Sequence, residues 1–156
     1  MDILDNKQLA MAFDCEGSFI VQEQATALNL GLSIAQSYCN ELLYAIQTSM
    51  NCGKVYEGHW WEVRGKADIL TAIELIEPYL IVTREPMKVF KELVGTLSGI
   101  GHRIEDRQLV YRQKLLEAWN ANFTQKAKSL RRNNLAEHDR AIGDLQRVST
   151  GQVTQP

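Results

Sequence analysis

Leu9-Ala10-Met11-Ala12-Phe13-Asp14-Cys15-Glu16-Gly17-Ser18-Phe19 is the stretch on which the reading of this chain turns. Small and apolar residues fill its first half, acids stand at 14 and 16, and Gly17 opens a strand-like run. Upstream, Asp5 with Gln8 has the form of a capping box, which predicts a helix over about 6–15. Leu9, Ala12, Phe13 and Glu16 share one side of it at i, i+3, i+4 and i+7. Gly17 breaks the helix, leaving a carboxylate at its tip. The C-terminal end of a helix is partially negative and disfavours an anion by a few tenths to about 1 kcal/mol. A bound cation reverses the sign of that effect. The plain alternative is a solvated acid at a helix–strand junction.

Working outward, residues 18–24 suit a strand, with Phe19 and Val21 pointing one way and Ile20, Gln22 and Gln24 the other. Over 27–36, Leu28, Leu30, Leu32 and Ile34 alternate with Asn29, Gly31 and Ser33, the pattern of a half-buried strand. A helix over about 38–50 ends at Asn51-Cys52-Gly53. A second hairpin, 54–58 and 59–65, turns at Glu57-Gly58-His59 and points Trp61 and Val63 inward. A third helix, about 66–77, stops at Pro78. The order is αββαββα, which predicts an α+β fold: an antiparallel four-stranded sheet with helices on one face. Further helices are predicted over about 84–97, 104–122 and 134–147, with breaks at Gly99-Ile100-Gly101 and Arg132-Asn133-Asn134. The whole chain, 1–156, reads as a single domain with its core at about 5–97, a C-terminal helical extension at about 98–148 and a polar tail.

The helices leave one sheet face open, lined by Ile20, Gln22, Gln24, Asn29, Gly31, Ser33, Tyr56, Trp60, Glu62 and Arg64. Such a face is simply solvated in most proteins. It also fits a surface laid in the DNA major groove, where Gln and Asn match adenine and Arg matches guanine.

A formal charge of −2 argues against a generic nucleic-acid binder, but the charge is unevenly spread. Residues 1–52 carry −5, 53–100 carry −1 and 101–156 carry +4, with Lys126, Lys128, Arg131 and Arg132 close together. A solvated helical face is the commoner meaning of such a cluster. Three cysteines without a CxxC pair, and three scattered histidines, argue against zinc. No apolar run is long enough for a membrane span, so no membrane partner is expected. With no signal peptide and an odd cysteine count, the expected setting is reducing: a bacterial or phage-infected cytosol, or an organelle interior.

Leu9 to Gly17 resembles the LAGLIDADG motif of homing endonucleases, and Ser18-Phe19 continues in that family's manner. Pro78-Tyr79-Leu80-Ile81-Val82 resembles the second recurring segment, which follows the family's last core helix. The resemblance implies a site-specific double-strand DNA endonuclease that hydrolyses phosphodiesters with Mg²⁺, or Mn²⁺ as a substitute. A single motif implies a homodimer on a long pseudo-palindromic site, paired through Leu9, Ala12 and Phe13. Two copies of Glu16 would then meet at the bottom of two adjacent sheets. Glu16 matches the motif's metal-binding acid, and Asp14 its usually structural acid. Gln36 matches a polar residue near the active-site water.

The chain departs from that pattern in places. The family's basic residue after the second segment falls on Thr83, with Arg84 next and able to serve by a small shift. Asn40 stands where another peripheral base is expected. Met11 and Cys15 replace the motif's usual Gly and small residue, which implies an altered seam. These departures point to an alternative: a cleavage-inactive descendant that binds nucleic acid, as an intron-splicing maturase or a DNA-binding regulator. RNA enters as a partner only under the maturase reading.

Overall fold

The computed structural model describes residues 3–24, 27–97 and 106–124. Helix α1 (Asn6–Glu16) begins on Asp5, whose carboxylate accepts the Gln8 N–H at 2.8 Å, while Gln8 Oε1 accepts the Asp5 N–H at 2.9 Å. This reciprocal pair is the predicted capping box, and it satisfies two otherwise orphaned donors. Strand β1 (Gly17–Glu23) follows with no residue between. A Cβ on Gly17 would lie 2.3 Å from the Phe13 carbonyl oxygen, so the junction requires glycine for space. Its φ of −78° is open to any residue.

β1 pairs antiparallel with β2 (Leu28–Ala35), which pairs with β4 (Trp60–Arg64), which pairs with β3 (Lys54–Tyr56). The sheet order is β1-β2-β4-β3. Phe19, Leu32 and Val63 lie in register across three strands, as do Ile34 and Trp61 across two. These residues form the inner face, with Leu32, Ile34, Trp61 and Val63 fully buried. Helices α2 (Asn40–Met50), α3 (Lys66–Ile76) and α4 (Arg84–Gly95) complete the layer with α1. They contribute Leu43, Ile46, Ile69, Ile73 and Phe90 to the core beside Leu9 and Phe13. Each such side chain stabilises the fold by roughly 1.5–3 kcal/mol relative to leaving it exposed. Phe19 meets Phe13 edge-on at 5.2 Å and Phe90 at 5.1 Å, tying the first strand to the first and fourth helices. The α+β architecture read from the sequence is the one observed.

Several boundaries move. The second hairpin is shorter than predicted because Glu57 (φ 49°) and Gly58 (φ 68°) both take left-handed conformations, and the His59 N–H donates to the Tyr56 carbonyl at 2.9 Å. Tyr56 pairs with Trp60, so residues 57–59 form the connection that the sequence placed there. α3 passes into a 3-10 turn at Glu77–Tyr79 around Pro78. Helix α5 covers Asp106–Asn122. The chain divides into two compact units, Met1–Leu115 and Leu116–Pro156. The predicted breaks at 99–101 and 132–134 and the predicted helix at 134–147 lie outside the described residues, as do Lys126, Lys128, Arg131 and Arg132. No described helix is long and apolar enough to cross a membrane.

Candidate functional site

Glu16 is the last residue of α1 and is exposed, with no basic residue in that final turn. Among the described residues no donor or cation engages its carboxylate. It therefore adds a charge to an already negative helix end without local compensation. Gln36 lies just past β2. Its N–H donates to the His59 carbonyl at 2.9 Å, and its Oε1 accepts the Tyr38 N–H at 3.1 Å. In that orientation the side-chain NH₂ is left to meet a water or a phosphate oxygen. Glu16 and Gln36 line one concavity of about 280 Å³, together with Gln8, Met11, Ala12 and Cys15 of α1 and apolar Leu4, Ile34 and Leu42.

Asp14, two residues before Glu16, is committed elsewhere. Its carboxylate accepts the N–H groups of Ile81 (2.7 Å), Val82 (3.2 Å) and Thr83 (2.9 Å) and the Thr83 hydroxyl (2.6 Å). Thr83 is the N-cap of α4 and offers no side-chain cap of its own, so Asp14 supplies acceptors at that helix start. Burial alone would raise the Asp14 pKa. The Thr83 hydroxyl and the three backbone donors together outweigh it and hold the carboxyl below its ordinary value. Arg84, first residue of α4, donates from Nε to the Leu80 carbonyl at 3.0 Å and does not line the concavity with Glu16 and Gln36. Asn40, first residue of α2, is exposed and lies against the turn of the second hairpin: a Cβ on Gly58 would lie 2.9 Å from its Nδ2.

The open sheet face carries rows set by register. Ser18, Ser33, Glu62 and Lys54 form one, and Ile20, Gly31 and Arg64 a second. Gln22 with Asn29, and Trp60 with Tyr56, form two more. Gln22 and Gln24 are exposed, and Ile20, Asn29 and Ser33 are half-buried. Tyr56 and Trp60 stack across the hairpin at 5.6 Å and 17°. Ser18 and Lys54 belong to this face although sequence reasoning passed over them. The signal was present, since each stands two residues from a face member, Ser18 from Ile20 and Lys54 from Tyr56.

No family model matches the sequence, and no curated protein matches it. Solved structures do. The homing endonuclease I-TnaI matches at a TM-score of 0.65 and 20% identity, over 87% of this chain and 99% of that one. I-CvuI, in complex with the I-CreI target in the presence of Mg and with the DNA not cleaved, matches at 0.62 and 19%, over 77% and 83%. I-GzeII, a LAGLIDADG homing endonuclease in complex with its DNA target, matches at 0.61 and 19%, over 73% of this chain and 44% of that one. The fold is that of the LAGLIDADG homing endonucleases.

Within the LAGLIDADG fold of this chain the expected seam needs correction. Leu9 and Phe13 are fully buried in the chain's own core, so they have no surface to offer a second copy. The side of α1 that they mark faces the chain's own sheet, not a partner. Of the three residues expected at the seam, Ala12 alone retains surface; beside it Met11 and Cys15 are exposed, Met11 by 62%. The departures at the basic positions also acquire a cause. Thr83 is not a vacant catalytic position: its hydroxyl and N–H are both spent on Asp14.

Proposed function

We propose that this chain is a homodimeric, divalent-metal-dependent DNA endonuclease that reads a long pseudo-palindromic duplex with its open sheet face. The observation that carries the reading is Glu16: an exposed carboxylate at a helix end, with no partner among the described residues, sharing a concavity with Gln36. Among the described residues no group of three or more His, Cys, Asp or Glu side chains could hold a metal, and Asp14 is committed to residues 81–83, so Glu16 is the acid of the motif left to offer. A hard oxygen donor fits Mg²⁺ or Mn²⁺, which take carboxylates, phosphate oxygens and water. When bound, the ion supplies the charge that lowers the pKa of water and stabilises the phosphate. Glu16 would hold it with a second Glu16 and the scissile phosphates. Gln36 would orient a water through its NH₂. Pairing would use Met11, Ala12 and Cys15. We assign the extension at 98–148 to the same domain, with Lys126, Lys128, Arg131 and Arg132 on phosphates.

One observation favours a second reading. Thr83 is locked to Asp14 and Arg84 is tied to a carbonyl, so neither places a basic group in the concavity. A descendant that binds DNA, or RNA as a maturase, without cutting would look the same.

The test is incubation with a randomised duplex library, with Mg²⁺, with Mn²⁺ and with chelator, followed by sequencing of bound and cut molecules. Cutting that needs the ion, falls by orders of magnitude in Glu16→Gln and leaves that variant's binding intact supports the endonuclease. Tight binding of a defined site that is never cut supports the second reading.

A further inference from the structure

Arg64 does not stand free on the open face. Its Nε donates to Glu62 Oε1 at 2.6 Å, an ion pair between residues two apart on β4. Its stem lies across Gly31 of the neighbouring strand: a Cβ there would sit 2.8 Å from Arg64 Cδ and 3.0 Å from Nε. Gly31 is accordingly buried although it belongs to the open face. Lys54 stands directly across from Glu62 in the β3–β4 register, yet among the described ion pairs the Glu62 carboxylate is taken by Arg64. The Arg64 side chain stays 40% exposed while that of Glu62 is 19% exposed. The guanidinium is thus reachable from outside, and the carboxylate that holds it is mostly screened.

We propose that Glu62 is a positioning residue, not a base reader. With Gly31 as the bed, it aims Arg64 at a guanine in each half-site. The inference rests on the sheet face reading DNA, as proposed above. Engaging Nε leaves Nη1 and Nη2 as the outward fork, the pair of donors that matches guanine O6 and N7 in the major groove. A flexible arginine would lose side-chain freedom on binding; here that ordering has occurred before the duplex arrives. The acid cancels the charge of Arg64, so the pair contributes selectivity and little general attraction for phosphate.

The experiment is selection of bound duplexes from a randomised library by the wild type and by Arg64→Ala, Glu62→Gln and Gly31→Ala. Unrelated duplex is titrated in parallel, and thermal midpoints identify any variant that fails to fold. The wild type should enrich guanine at one position per half-site. Arg64→Ala should cut that preference by about tenfold or more. Glu62→Gln should reduce it several-fold at the same position only, with affinity for unrelated DNA equal or higher; a merely structural role would not move one base preference alone. Gly31→Ala, if folded, should do likewise. A Glu62→Gln variant that keeps the guanine and loses preference at another base pair overturns the inference, as does an Arg64→Ala variant with unchanged preference. Both leave DNA reading by the face intact. A wild type that enriches no site overturns that reading and this inference together.

Discussion

Four donors converge on the carboxylate of Asp14, and the residues they come from are 67 to 69 positions away in the chain. This single side chain joins the end of the motif helix to the start of α4. Because its folded pKa is lowered, the unfolded chain binds more protons in acid, and stability rises with pH across that window. The stabilisation is present above the ordinary carboxylate pKa and is lost as pH falls through Asp14's own lowered value. Asp14→Asn keeps one acceptor oxygen, and water can reach the Ile81 and Val82 N–H groups, so the variant should lose about 1–3 kcal/mol in all at neutral pH. It should also flatten the acid side of the stability profile. Denaturant midpoints measured from neutral pH into acid check both, and identical profiles for variant and wild type would remove Asp14 from this role. Sequence pattern exposed Asp14 only through the motif it belongs to. Its partner could not be read locally, since no periodicity connects residues so far apart.

At the scale of elements, α1 carries two apolar stripes where sequence periodicity described one. Leu9, Ala10 and Phe13 face the sheet, and Met11, Ala12 and Cys15 face out. An i, i+3, i+4 pattern identifies a buried side without saying whether the chain's own sheet or a second copy buries it. That is why the strands were legible and the seam was not. A period of two on β2 admits one reading, because its alternate residues are polar. The two sides of α1 separate in experiment. Ala12→Glu should leave the fold intact and split the proposed dimer by setting like charges against each other at a two-fold seam. Leu9→Glu should abolish folding, since it would bury an unpaired charge in the core. Sedimentation and circular dichroism distinguish the two. A wild type that is monomeric at micromolar concentration, free and with DNA, would count against pairing altogether.

For the whole molecule, the proposed reading divides the work of binding between charge and shape. The sequence pI is about 5.9, and on the open face Lys54 and Arg64 stand with the acid Glu62, so on that reading most non-specific attraction comes from a basic region elsewhere. On the proposed reading, binding should weaken steeply with salt despite the acidic pI. Replacing Lys126, Lys128, Arg131 and Arg132 together should weaken all duplexes alike and flatten the salt slope by ~0.9 for each phosphate that is no longer neutralised. Fluorescence anisotropy over a salt series reads both. An unchanged slope would return that cluster to an ordinary solvated face. The core of the fold was legible in the sequence because hydrophobic period and turn residues agreed from Asp5 to Gly95, with a capping box at the start of α1. The hydrogen-bonded register was less so, because one residue more or less in the Glu57-Gly58 turn decides which side chains share a row.

The absence of any loop between α1 and β1 has a further consequence. One peptide bond separates Glu16 from the first residue of the outermost strand, and Gly17 has no room to change. Gln22 stands five residues on, at about 3.4 Å per residue. If Glu16 cuts and the sheet face reads, as proposed, a lineage built on this chain is free to rewrite the distal residues of the sheet, one substitution at a time, while the point of attack stays anchored at the near end. On that reading new addresses come without re-engineering the chemistry, and drift at the junction itself would forfeit both at once.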